Sequence, residues 1–161
     1  MKFFTLLLFL LGCCSAANAT NKLALFNTNS YSQLIEQKKQ AFLMVMWSLD
    51  CPPCIKELNS LSLLYKENPN LNMVLVSTDS PARSDEINKL LSRFDLLKID
   101  NRVFSTEPIQ RLRYSIDPQW YGELPRSYFH DNHSTIRNAV TGILNTDRIL
   151  SWLKKNTEVT P

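Results

Sequence analysis

Two cysteines separated by two prolines, Cys51-Pro52-Pro53-Cys54, constrain this chain more than any other stretch. They follow an apolar run, Ala41 to Met46, and Trp47-Ser48-Leu49-Asp50. They precede Ile55 to Tyr65, whose apolar residues recur at three- and four-residue spacing. The first run reads as a strand buried on both faces, Ala41 to Ser48, and the second as a helix. A cysteine pair at a strand-to-helix junction points to redox chemistry. A helix N-terminus carries unpaired N–H groups and partial positive charge, which stabilise a thiolate. Cys51 is therefore the expected attacking thiolate, and Cys54, one turn on and facing inward, the resolving thiol. Pro52 and Pro53 suit a first helical turn, where a missing N–H costs little, and they stiffen the loop.

The N-terminus reads as a targeting segment. Met1-Lys2 is positive, Phe3 to Leu11 is apolar apart from Thr5, and Ala17-Asn18-Ala19 is a small-x-small cleavage site. The apolar run is short for a membrane-spanning helix. Cleavage after Ala19 leaves a single domain, 20–161, and removing Lys2 lowers the net charge from +3 to +2. Leu10-Leu11-Gly12-Cys13 offers a second reading, since it resembles a lipobox whose cysteine becomes a lipid anchor. Both readings place the domain in an extracytoplasmic, disulfide-permissive compartment. Cys13 and Cys14 then belong to the targeting segment, so only Cys51 and Cys54 remain in the domain, which excludes a multi-bridge scaffold.

The remaining elements follow in order. Leu23 to Phe26 is an edge-strand candidate, and Asn29 or Ser30 caps a helix from about Tyr31 to Lys39. The helix after Cys51 is expected to bury Ile55, Leu58, Leu61 and Leu64 or Tyr65. Asn72 to Thr78 is a second central strand. A helix capped by Ser80 or Ser84 turns Ile87, Leu90, Leu91 and Phe94 inward. Leu97 to Phe104 holds a short strand and Glu107 to Tyr114 a brief helix. Arg126 to His130 begins a hairpin just after Pro125, with a turn at Asp131 to Ser134 and a return strand from Thr135 to Thr141. Asn145 or Thr146 caps a last helix, Asp147 to Lys155, with Ile149, Leu150 and Leu153 inward; the tail, Asn156 to Pro161, reads as frayed. Alternation of strands with helices implies a parallel portion, and the hairpin adds an antiparallel one. No basic cluster interleaved with aromatics suggests nucleic-acid binding.

This order, with its CxxC and a proline opening the hairpin, resembles the thioredoxin superfamily. Trp47 lies where that family has a tryptophan, and Leu124-Pro125 matches its cis-proline loop. The secretory leader, the CPPC, an inserted strand-helix segment and Glu57 narrow the resemblance to the TlpA/ResA/CcmG-like secreted thiol-disulfide oxidoreductases. The resemblance implies an α/β fold, with a mixed central sheet flanked by helices, an N-terminal extension and a strand-helix insertion. It implies that Cys51 and Cys54 react and that Trp47, Leu124 and Pro125 form the substrate side, with Trp47 both core and site wall. It also implies disulfide-containing protein substrates, a membrane thiol electron donor, a monomer and no cofactor.

Two departures stand out. Many thioredoxins carry a buried acidic residue where this chain has Val45, which leaves Glu57 as the candidate proton acceptor for Cys54. Asp50 places a negative charge just before Cys51, opposing its ionisation; Arg126 is the candidate to offset it. With Pro53, Asp50 argues for a reductase of partner disulfides, whereas Arg126 and the helix dipole favour the oxidising direction. A disulfide oxidant or isomerase stays open. So does a copper- or zinc-handling module using the thiols with His130 and His133, although the histidine spacing is short for such a site. Trp120 and Tyr121 form either a docking surface or packing against the inserted helix, and Glu123 either touches a partner or is a solvated loop charge.

Overall fold

A computed structural model describes residues 23–38, 40–131 and 138–157. The expected targeting segment at 1–19 with Cys13, the hairpin turn with His133, and residues 158–161 of the tail lie outside the described residues.

Strand β2 (Phe42–Trp47) runs through the middle of the molecule, and every one of its residues is buried. Strand side chains alternate between faces. Leu43, Val45 and Trp47 enter one apolar cluster, and Phe42, Met44 and Met46 enter another on the opposite face. Neighbouring β3 (Met73–Ser77) is also buried throughout and pairs with β2 in parallel, Leu43 opposite Met73 and Trp47 opposite Ser77. Continuous apolar strands therefore form a sheet covered on both sides, as their composition requires.

The six strands lie in the order β1-β4-β3-β2-β5-β6. β1 (Ala24–Phe26) takes one edge, parallel to β4 (Asp100–Phe104), which is parallel to β3. On the other side β5 (Arg126–His130) and β6 (Asn138–Thr141) add the antiparallel hairpin. Helices α2 (Pro52–Glu67) and α3 (Ser84–Arg93) cover the face of Leu43 and Trp47, together with α5 (Thr146–Thr157) through Ile149. α1 (Ser30–Gln37) and α4 (Ile109–Ile116) cover the face of Met44 through Leu34, Leu112 and Ile116.

Several boundaries differ from expectation for local reasons. α4 begins at Ile109 rather than Glu107, because Pro108 is its N-cap and disfavours helical backbone in the residue before it. Within the expected stretch Leu97 to Phe104, β4 begins at Asp100, because Leu96 to Ile99 closes a turn in which the Ile99 N–H donates to the Leu96 carbonyl. In α2 the inward face holds Cys54, Glu57, Leu58, Leu61 and Leu64, while Ile55 is only half-buried. In α5 Ile149 is buried, but Leu150 is 39% exposed, so the inward stripe is narrower than its sequence suggested.

Candidate functional site

Cys51 caps α2, and Pro52 and Pro53 fill its first two positions. Neither proline has an N–H, so Cys54 supplies the first free donor of the helix. That N–H lies 3.2 Å from the Cys51 sulfur and 2.9 Å from the Cys51 carbonyl. A donor aimed at the sulfur favours its anionic form. Cys51 and Cys54 form a disulfide, with Cys51 half-buried and Cys54 fully buried. The more accessible cysteine is thus the first in sequence, as a nucleophile requires, and the second is shielded.

One turn beyond Cys54, Glu57 is 1% exposed. Its Oε2 accepts a hydrogen bond from the Leu144 N–H at 2.9 Å, 87 residues away in sequence, and its Oε1 has no protein partner. Loss of solvation pushes the carboxyl up to about 7, partly opposed by that backbone donor. An acid tuned to neutrality next to a buried thiol can take and return a proton at working pH. Val45 is buried among the same core residues as Cys54 and cannot act as an acid or base. On the sequence alone Glu57 could equally have been a solvated helix residue; in the fold it is buried and bonded by the Leu144 N–H.

The chain just before Leu144 reaches the hairpin. The Gly142 N–H donates to the Pro125 carbonyl at 2.9 Å, and the Leu124–Pro125 bond is cis. Leu124 is half-buried and packs against both apolar clusters, Pro125 is buried, and Glu123 is exposed. Trp47 is 1% exposed and belongs to the core. It shares an apolar cluster with Cys54, which is the core half of its expected double role as core and site wall. Trp120 and Tyr121 part company. Trp120 is buried and donates from its indole to the Glu123 carbonyl, whereas Tyr121 is 82% exposed.

Arg126 does not offset Asp50. Its guanidinium pairs with buried Asp117 at 3.0 Å and donates to the Thr141 hydroxyl, behind the cis-proline loop. Asp50 is instead held by Arg83, at 2.6 and 3.3 Å. Sequence reasoning missed Arg83 and Asp79. The available signal was the parallel pairing of two central strands, which places the loops after both strands on one edge of the sheet.

His130 stacks on Phe42 at 4.4 Å between ring centroids. Phe42 begins β2, whereas the cysteines follow its end, so His130 lies across the length of the strand from the thiols. This removes His130 from the thiol-based metal set. Among the described residues no cluster of three or more His, Cys, Asp or Glu is arranged to hold a metal ion.

No protein-family model and no curated protein sequence matches the chain. Solved structures do. A secreted Mycobacterium tuberculosis disulfide oxidoreductase, described as homologous to E. coli DsbE, aligns at TM-score 0.58 and 18% identity over 75% of this chain and 85% of its own. StoA from Bacillus subtilis aligns at TM-score 0.55 and 18% identity over 74% and 86%. A thioredoxin-related protein from Neisseria meningitidis serogroup B aligns at 0.59 and 22% over 84% and 98%. The chain has the thioredoxin-like fold. Within it, the CxxC at the start of α2 and the cis-proline before β5 lie where the sequence resemblance implied.

Proposed function

We propose that this chain is an extracytoplasmic thiol-disulfide oxidoreductase of the TlpA/ResA/CcmG type that reduces disulfides of partner proteins. The observation carrying this reading is the Cys51–Cys54 disulfide at a helix N-terminus, with Cys54 buried one turn from a buried, neutral-range Glu57. The N-terminal sequence and a structural neighbour described as secreted support the location. Among the described residues no helix is long and apolar enough to cross a membrane.

The reaction is two exchanges. The Cys51 thiolate attacks one sulfur of the partner disulfide, forming a mixed disulfide and releasing the other partner sulfur as a thiolate. Cys54 gives its proton to Glu57 and attacks the Cys51 sulfur, expelling the second partner sulfur. Two electrons pass to the partner, and Cys51–Cys54 is left oxidised. Leu124 offers backbone groups to the substrate chain beside the cysteines, with Pro125 behind it. A membrane thiol donor restores the dithiol.

Insulin reduction tests the activity. Cys51→Ser is expected to abolish it, and Cys54→Ser to accumulate a mixed disulfide with the partner; full activity in Cys51→Ser overturns the assignment of the nucleophile. Direction is read from the reduction potential of the pair. A value near or below about −270 mV supports a reductase, and one near about −120 mV replaces it with an oxidant. The oxidant reading has its own support, because the Cys54 N–H and the Arg83–Asp50 pair both favour a Cys51 thiolate.

A further inference from the structure

Asp79 follows β3 at the edge of the sheet where Cys51 follows β2, and its side chain is 5% exposed. Oδ1 accepts from the Ser48 hydroxyl at 2.9 Å and from Arg83 at 3.2 Å. Oδ2 accepts from the Leu49 N–H at 2.9 Å and from the Ser77 hydroxyl at 2.7 Å. One buried carboxylate therefore holds the turn that leads into Cys51, and all its acceptor positions are used. Arg83 ends the short 3-10 turn Pro81–Arg83 before α3 and spans the same surface. Its two terminal nitrogens grip both oxygens of Asp50, while Nε and Nη2 grip Glu86 at 3.1 Å each.

The arrangement surrounds one cation with three carboxylates, and one of these belongs to the residue immediately before the half-buried Cys51. Asp50 is 77% exposed, so the pair adds little to stability. Its effect falls on the charge felt by the neighbouring sulfur. We propose that Arg83, anchored on Asp79, is the redox-tuning residue of the Cys51–Cys54 pair. By cancelling the Asp50 charge it holds more of Cys51 as thiolate and shifts the pair toward its reduced form, making it a stronger oxidant than the motif would be beside an unpaired Asp50. This inference rests on the thiol-disulfide reading.

The test uses the mature chain equilibrated with glutathione, where oxidation of the dithiol by one glutathione disulfide yields the protein disulfide and two glutathione thiols. Thiolate absorbance of Cys51 is titrated alongside, in the Cys54→Ser background. At low salt, Arg83→Gln is expected to lower the thiolate fraction at neutral pH roughly threefold to tenfold and to move the glutathione equilibrium toward the protein disulfide. Near 1 M salt, where the screening length is about 3 Å, the difference should shrink. Arg83→Lys, which keeps the charge but loses the fork, should retain most of the wild-type titration. Asp50→Asn should raise the thiolate fraction and, combined with Arg83→Gln, restore it. An unchanged titration in folded Arg83→Gln, or in Asp50→Asn, overturns the proposal. So does Arg83→Lys behaving like Arg83→Gln, since shape rather than charge would then be responsible. A wild-type protein that does not exchange with glutathione overturns the redox reading itself, and this inference with it.

Discussion

Glu57 combines a stability cost with the proton-acceptor role proposed for it. Burial holds its carboxyl near 7 instead of 4.5. Below pH 4.5 it is protonated in folded and unfolded chains alike. Between 4.5 and about 7 the unfolded chain has lost the proton that the folded chain keeps, so stability falls as pH rises; above about 7 it stays at the lower level. Glu57→Gln keeps an acceptor for the Leu144 N–H and removes the ionisation. Urea unfolding of this variant is expected to show no such decline, and a gain of roughly 3 kcal/mol over wild type at pH 8, at about 1.4 kcal/mol per unit. The same variant should slow resolution of the mixed disulfide near neutral pH, read as trapped intermediate after rapid quenching. A wild-type stability flat from pH 5 to 8 would deny the raised carboxyl.

At the scale of elements, the loop between α4 and β5 is built to hold Leu124–Pro125. Arg113 donates to the Tyr121 carbonyl at 3.0 Å and lies over the Trp120 ring, while Asp117 binds Arg126 beyond the proline. Gly122 has φ +111°, and a β-carbon there would lie 2.5 Å from the Arg113 guanidinium carbon. Gly122→Ala is expected to cost about 1–3 kcal/mol through that strained backbone, measured by thermal or denaturant unfolding. Asp117→Ala takes from half-buried Arg126 its carboxylate partner and should cost about 1–3 kcal/mol. Partner reduction should weaken mainly through KM, because the cysteines are untouched. An Asp117→Ala variant with unchanged KM would show that the loop is held without the pair. α5 offers a contrast: its N-cap Asn145 accepts from the Asp147 N–H at 2.7 Å, so Asn145→Ala should cost only about 1 kcal/mol.

For the whole molecule, the sheet is a shared wall between two apolar layers, and substitutions within it are felt on both sides. Leu75 is fully buried beside Val45 in the parallel ladder. Leu75→Ala should cost about 2–5 kcal/mol, measured by urea unfolding of the oxidised protein. Redox state and stability are linked through one cycle: the potential of the folded pair, set against that of the unfolded chain, equals the difference in stability between oxidised and reduced protein. If the pair is reductase-like, the oxidised protein should unfold at higher urea than the reduced one; the reverse order would mark an oxidant. The short loop closed by the bridge contributes little chain entropy, so either difference reports on the site itself.

The CxxC, its strand-to-helix setting, the doubly buried strands and the hairpin after Pro125 were legible in the sequence, because each depends on local backbone chemistry or on periodicity along one segment. Cys51 and Cys54 needed only their spacing and the start of α2. The environment of the pair was not legible. Glu57 is an acid of neutral pKa because burial strips its solvation, against the opposing effect of the Leu144 N–H, 87 residues on. Asp50 meets Arg83 rather than Arg126 because the parallel pairing of β2 with β3 brings their following loops together, while Asp117 claims Arg126 on the far side of the cis-proline. Trp47 is a core residue because its register on β2 turns it into the α2 face. Chemical identity and local structure are written along the chain; burial and charge partners arise from long-range packing, so tertiary structure alone decided what surrounds the cysteines.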